Sequence, residues 1–403
     1  VSRSTMSDLL REAQPFFCWL LAICASVYGI GVVWFLSGMK IRAGKQGGTP
    51  FVSVVVAVRN EADNIRACLC RLFHQDYPEE RYEVIVVDDG SSDGTPEIAL
   101  RVGEGRKGFR LLSVEEEGGE SGSKKAALSL GIEAAGGAIL LTTDADCLVP
   151  EGWIKGMVGH FSPEVGLVAG FSQIGPPGGP QSPRTAYEAV DFLCLMGCIL
   201  GSVGRGHPMA ASGQNLAYRK EAFQEVGGFA RVAHRASGDD VLLLQLIKRF
   251  TNWEIAFAGE PGTFVVHPAS SSWGGLFQQR TRWASNAPSQ LRLDPSFFAY
   301  MVVTFALDLL LLMSPLWVLW GDLRAGWAIG GWGVKILAEW ALFLRGTVLF
   351  GRRDLRRYFP LWALLQPFHV VMVGAIGCLG IFSWKGKSHR WGRQRSGEEK
   401  PSS

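Results

Sequence analysis

The sequence predicts an α/β protein whose doubly wound sheet is followed and preceded by apolar segments long enough to cross a membrane. Three observations predict it. The β-branched run 52–58 (Val-Ser-Val-Val-Val-Ala-Val) and the run 83–87 alternate with amphipathic stretches, as in a parallel sheet buried on both faces. Acidic or amide residues recur at the predicted strand ends, where such sheets bind ligands. Wholly apolar runs reach the length of a membrane span at 15–38 and again beyond 297, about 20 residues being needed.

The elements follow in order. Residues 1–14 are a polar tail, and 15–38 form the first predicted span. That run is longer than the apolar core of a signal peptide, and no small-residue cleavage site follows. Lys40, Arg42 and Lys45 come next, so the positive-inside tendency places the following domain in the cytoplasm. A Gly-rich linker, 44–50, leads to the strand 52–58, a helix at 62–73 with Ile65, Leu69 and Leu72 on one stripe, and the strand 83–87. A helix at 96–102 is capped by Asp93 or Thr95. A helix at 124–135 precedes the strand opened by Ile139, and a helix at 151–161 and a strand at 165–171 follow. The apolar stretch 186–202 carries Glu188 and Asp191 and reads as a core or membrane-proximal helix. After a small-residue turn into a strand at 212–218 come helices at 219–226 and 241–250 and short strands at 253–258 and 263–267.

The C-terminal part, 297–384, is read as a membrane region of about three apolar helices: 297–320, 327–350 and 359–384. Lys335, Glu339 and Arg345 fall inside the second. Charges there face a bundle interior or a water-filled path, and Lys335 and Glu339 are spaced to pair. Three spans after a cytoplasmic domain put the C-terminus outside, whereas the basic tail 385–403 prefers the inside; the sequence leaves both topologies open.

Composition narrows the classes. With 403 residues, 47% of them hydrophobic, the chain has room for a soluble core and membrane helices. A net charge of +3 gives no argument for nucleic acid. Basic clusters at 352–357 and 385–395 flank apolar segments instead, which suits anionic lipids. Eight cysteines occur without a Cys-x-x-Cys pair, and they read as free thiols in a reducing compartment.

The chemistry gathers at strand ends. The run 139–147 (Ile-Leu-Leu-Thr-Thr-Asp-Ala-Asp-Cys) delivers Asp144 and Asp146, whose i, i+2 spacing puts both on one side of an extended chain. Paired carboxylates repel unless a cation sits between them; Mg²⁺ with diphosphate oxygens would satisfy them, and the other reading is a strand end capped by two solvated aspartates. Asp88 and Asp89 at another strand end are placed to accept a nucleobase N–H or to form an Asx turn. Lys124 opens a helix, where a cation and free N–H groups favour phosphate. Asp239 and Asp240 start a helix and offer either a cap or a general base. Gln279, Arg282 and Trp283 precede the first C-terminal span. They can meet a diphosphate and a sugar face, or anchor the chain at a membrane interface.

Taken together, residues 54–61, Val87-Asp88-Asp89-Gly90-Ser91, 124–131, Thr143-Asp144-Ala145-Asp146, Gly238-Asp239-Asp240 and Gln279 to Trp283 resemble the family-2 glycosyltransferases. The likeness is to the membrane-embedded branch with cellulose, chitin, hyaluronan and bacterial exopolysaccharide synthases, and it spans about residues 52–283. The resemblance implies a GT-A (Rossmann-like) fold with a mixed, mostly parallel sheet over residues 44–290, and an inverting hexosyltransferase using a nucleotide sugar, usually a UDP-sugar, with Mg²⁺ or Mn²⁺. It implies that Asp88 and Asp89 hold the uracil and ribose and that Lys124 contacts the donor. Asp144 and Asp146 bind ribose, diphosphate and metal, with Asp146 the main ligand. Asp240, or Asp239 beside it, is the base. Gln279, Arg282 and Trp283 match the Gln-x-x-Arg-Trp signature that holds the diphosphate and shapes the acceptor site. Lipid or a growing glycan is the implied acceptor, membrane lipids the surroundings, and a bacterial plasma membrane the location. Gly-Asp-Asp departs from the family's usual base motif, and one preceding span replaces the two of several synthases. A single-sugar glycolipid synthase of the ceramide or diacylglycerol type and a non-catalytic partner derived from a transferase are the rival readings. Product length and UDP release distinguish them.

Overall fold

The computed structural model describes residues 3–44, 48–114, 123–178, 182–233, 235, 237–320, 325–379, 382–384 and 387–389. The basic tail beyond 390 lies outside the described residues. The chain runs through α1 (Arg3–Gly38), β1 (Val52–Val58), α2 (Ile65–Leu72), β2 (Tyr82–Asp88), α3 (Thr95–Gly103), β3 (Phe109–Ser113), α4 (Lys124–Ala134) and β4 (Ile139–Thr142). It continues through α5 (Trp153–Val158), β5 (Val165–Gly170), β6 (Ser172–Ile174), α6 (Pro183–Gly204), β7 (Leu216–Arg219), α7 (Lys220–Glu225), α8 (Val241–Phe250), β8 (Glu254–Ala258) and β9 (Val265–His267). The remainder is α9 (Trp273–Ala284), α10 (Ala287–Leu293), α11 (Pro295–Trp320), α12 (Ala325–Leu349), α13 (Phe359–Cys378) and a small hairpin, β10 (Phe382–Trp384) with β11 (Lys387–His389). Two compact units result: Val1–Gly29 with Ser270–Leu337 and Pro360–Ser403, and Ile30–Ala269 with Ala338–Phe359.

The second unit is built on a seven-stranded sheet ordered β3-β2-β1-β4-β7-β5-β8. β1, β2, β3 and β4 run parallel, as do β5 and β8, while β7 lies antiparallel between β4 and β5. β1 and β2 are buried almost throughout, which is why their sequences are continuous apolar runs without alternation. One core packs Val54, Val56, Val84, Val86 and Leu141 with Ile65 and Leu69 of α2 and Trp153 of α5. Gly131 of α4 is required where the helix rides over the sheet, because a Cβ there would run into the Val55 side chain.

β3 was not predicted. It is a half-buried edge strand, Phe-Arg-Leu-Leu-Ser, and lacks the β-branched run that marks its neighbours. The N-cap of α3 is Gly94, not Asp93 or Thr95. Asp93 instead accepts the Thr95 amide and hydroxyl, and Gly94 takes the left-handed conformation at φ 80° that lets this happen.

Asn215 pins the middle of the unit. Its side-chain amide donates to the carbonyls of Phe171 and Thr263, each at 2.8 Å, and its oxygen accepts from the Trp153 indole at 2.8 Å. The end of α1 meets α6 at small residues: a Cβ on Gly201 or Gly204 would collide with the carbonyls of Phe35 or Gly38. Backbones approach this closely only where side chains are missing.

Among the described residues, four helices are long and apolar enough to cross a membrane: Ala13–Gly38, Pro183–Gly204, Pro295–Leu319 and Arg353–Cys378. This set differs from the one expected. α6 qualifies although most of it is buried in protein. α12 does not, since its charges and glycines lower its mean hydropathy. The expected final span at 359–384 ends at Cys378, and 382–384 pairs with 387–389. In the first unit Lys335 of α12 is buried, 3.0 Å from Asp308 of α11 and 2.8 Å from the Gln366 oxygen of α13. The Tyr28 ring lies 5.2 Å from the same ammonium.

Candidate active site

β4 ends at Thr142, before its two acids. The alternation argument therefore does not bring Asp144 and Asp146 together. A turn does: the Cys147 amide donates back to the Asp144 carbonyl at 3.1 Å. Thr143 ties this turn to the neighbouring loop by donating to the Gln214 carbonyl at 2.9 Å, and the backbone beyond it bridges Leu148 to Val266. One ligand atom each from Asp144, Asp146 and Cys147 lie within 4.8 Å of one another. Burial, then the charges of Asp144 and Glu61, push the Asp146 carboxyl up to about 6. Burial, followed by the charges of Asp144 and Asp146, raises the Cys147 and Cys68 thiols too, so both stay protonated. The donor set is hard oxygen in a region of unbalanced negative charge, and it fits a small divalent cation.

Lys124 links this turn to the second acidic pair. Its ammonium lies 2.7 Å from Asp144 and 2.9 Å from Asp239. Burial pulls it down, but the two carboxylates outweigh burial and hold it well above the ordinary lysine range. Ser123 caps α4 through the Ala126 amide, which fixes where Lys124 leaves the helix.

Asp239 and Asp240 precede α8 and behave differently. Burial raises Asp239, yet Lys124 and Lys125 outweigh it and leave the carboxyl low. Asp240 is pushed up by burial and by Asp239, against the amides of Val241 and Gly213. Those amides donate to its two oxygens at 2.6 and 2.9 Å. A Cβ on Gly213 would come within 3.3 Å of Asp239 and 3.4 Å of Asp240. The pair is thus divided into one carboxylate held low by a lysine and one acid raised above the ordinary carboxylate range, the pattern that separates support from base.

Asp88 ends β2, Asp89 follows it, and both are buried. Asp88 accepts the Ser91 amide, three residues on, at 3.1 Å, and Asp89 lies 3.6 Å from the Arg59 guanidinium. Asn60 takes a left-handed φ of 54° and accepts the Ser92 amide at 2.8 Å. The turns after β1 and β2 are thereby fastened together.

The second unit brings Lys124, Asp144, Asp146, Asp239 and Asp240 into one connected group. Gln279, Arg282 and Trp283 lie on α9 in the first unit. Sequence reasoning did not single out Arg280 between them. Its buried guanidinium donates to Gln279 at 3.0 Å and lies 4.2 Å from the centre of the Trp283 ring, so it touches both. Glu61 was also not named as a site residue. Its place at the end of β1 is the signal that marks the other acids.

A family described as glycosyl transferase family 2 matches residues 53–227. Glycosyltransferase AglE of Haloferax volcanii is 35% identical over 236 residues, covering 58% of this chain and 71% of that relative. Poly-beta-1,6-N-acetyl-D-glucosamine synthase of Staphylococcus aureus is 27% identical over 327 residues, covering 76% of this chain and 74% of that enzyme. The mannosyltransferase PcManGT from Pyrobaculum calidifontis, solved in complex with GDP-Man and Mn²⁺, superposes with a TM-score of 0.58 at 21% identity, over 89% of this chain and 99% of that one. The chain belongs to glycosyl transferase family 2. Its mixed sheet is a GT-A fold, and the protein is a hexosyltransferase.

Proposed function

We propose that the chain is an inverting, divalent-metal-dependent transferase. It moves a sugar from a UDP-sugar to a lipid or a growing glycan at the cytoplasmic face of a bacterial plasma membrane. Residues 44–290 form its catalytic domain, and the apolar helices on both sides anchor it. The observation that carries this reading is the bridge of Lys124 between Asp144 and Asp239, which joins a cation site to a base within one unit.

Asp144 and Asp146 would hold the Mg²⁺ or Mn²⁺, which when bound neutralises charge on the donor diphosphate. Asp88 and Asp89 receive the nucleobase and ribose. Lys124 keeps Asp239 and exchanges its Asp144 contact for a phosphate oxygen of the donor. Asp240 takes the proton from the acceptor hydroxyl as that oxygen attacks the anomeric carbon from the face opposite the leaving nucleotide. Asp239 stays ionised beside Lys124 and keeps Asp240 basic. For Gln279, Arg282 and Trp283 the likeness to the family's Gln-x-x-Arg-Trp signature alone supports roles toward a diphosphate and an acceptor sugar.

The relatives support transfer to glycans: one is named a poly-beta-1,6-N-acetyl-D-glucosamine synthase. The experiment is nucleotide release by purified protein with Mg²⁺ or Mn²⁺ across a panel of UDP-sugars that also includes GDP-mannose. Release of UDP that Asp240→Asn abolishes, with nucleotide binding kept, supports the reading. Full turnover by Asp240→Asn moves the base to Asp239, and no release with any donor removes the proposal. A ladder of products marks a polymerase, and one added sugar a glycolipid synthase.

A further inference from the structure

Lys125, next to Lys124, points away from the acidic turn. It is buried, and its ammonium donates to the carbonyls of Arg235 at 2.5 Å and Ser237 at 2.9 Å. These acceptors are 110 and 112 residues further along the chain. They stand immediately before Gly238, which is left-handed at φ 88°, and before Asp239 and Asp240. A buried ammonium is costly unless its donors are satisfied, so a lysine placed here fixes whatever it bonds. Here it bonds the main chain that launches the acidic pair.

We propose that Lys125 is a positioning residue for transfer, clamping the main chain at Arg235 and Ser237 so that Asp239 and Asp240 leave the Gly238 turn in the orientation proton abstraction needs. This rests on the reading of Asp240, or its neighbour, as the base. The two lysines then divide the work at the head of α4: Lys124 holds a carboxylate, and Lys125 holds the backbone behind it. The charged groups facing Lys125 are Asp239, Asp240, Lys124 and Arg235; burial outweighs the attraction of the two acids and lowers the ammonium to about 8. Those facing the acids are Lys124 and Lys125, with the Tyr218 hydroxyl also close to Asp239.

The test compares Lys125→Met and Lys125→Arg with the wild type in full-length protein, using the donor that gives turnover. For Lys125→Met the clamp and a nearby positive charge are both lost. The expected results are kcat lower by about tenfold to a hundredfold, donor KM within about twofold, and an acid limb of the kcat–pH profile moved to higher pH. Lys125→Arg keeps the charge and donors, so its acid limb stays at the wild-type position. UDP binding and thermal unfolding report whether each variant is folded. Lys125→Gln, which keeps one amide donor without the charge, replaces Met if Met fails to fold. A Met or Gln variant with wild-type kcat and an unmoved acid limb overturns the proposal. So does a fall in kcat with an unmoved limb, which would mark a merely structural role. Wild-type protein without turnover on any donor indicts the transferase reading itself, a separate result.

Discussion

At Asp240 two hydrogen bonds and one like charge compete. Burial and Asp239 raise its carboxyl despite the amides of Val241 and Gly213. A base must be ionised, so kcat rises with pH through the raised pKa and forms an acid limb. Asp239→Asn removes the neighbouring charge, lowers the Asp240 pKa and moves the limb to lower pH. A pH profile that stays put in that variant contradicts the coupling. Gly213→Ala places a methyl 3.3–3.4 Å from the carboxylate oxygens of Asp239 and Asp240; it is expected to lower kcat by about tenfold while unfolding near the wild-type temperature. That Asp88 ends a strand and that Asp144 and Asp146 lie just beyond one was legible in the sequence, because the apolar runs before them mark the strands. How Asp144 and Asp146 meet was not, because a turn replaces the strand after Thr142. Lys125 and Arg280 were illegible for a different reason. Each acts through partners that only the fold or the helix surface supplies.

Elements hold these residues through buried polar ties as much as through the apolar core. Asn215 joins β5 and β7, the loop after β8 and α5. Asn215→Ala leaves an indole N–H and two carbonyls without their partner. Each such loss costs about 1–3 kcal/mol, so chemical denaturation is expected to show a loss of about 3 kcal/mol or more. A second tie closes on the linker after α1. Glu260 accepts the Gly44 amide at 2.7 Å and pairs with His160 at 2.9 Å. Burial raises its carboxyl, but the His160 bond, the Gly44 amide and the His160 charge outweigh burial and leave it low. A carboxyl lowered by folding stabilises above its unfolded pKa, about 4.3, and that contribution fades as pH falls through the folded value. Glu260→Gln is therefore expected to lower the unfolding temperature at pH 7 and to converge on the wild type in acid. An equal deficit at both pH values contradicts it. Parallel strands were legible from continuous β-branched runs. The edge strand β3 and the antiparallel β7 were less so: the one has no such run, and the direction of the other depends on its partners.

Over the whole molecule, membrane length and membrane composition part company. α6 has the apolarity of a span yet is mostly covered by protein, whereas α12 is as long but carries Lys335. Charge inside an apolar run was legible, but its partners were not, because Asp308 and Gln366 sit on other helices. Lys335→Met leaves Asp308 buried without this cation, which costs about 3–5 kcal/mol in buried pairs. Adding Asp308→Leu is expected to restore most of the unfolding temperature in detergent; an additive double variant would show that the two do not act as a pair. The central claim concerns the other unit, where acids on separate elements assemble around a cation and a diphosphate. Calorimetric titration of UDP into wild-type protein and Asp146→Ala, each with and without Mn²⁺, addresses it most directly. Tight binding that requires Mn²⁺ in the wild type and is lost in Asp146→Ala is the expected result. Equal UDP affinity in all four measurements would contradict it.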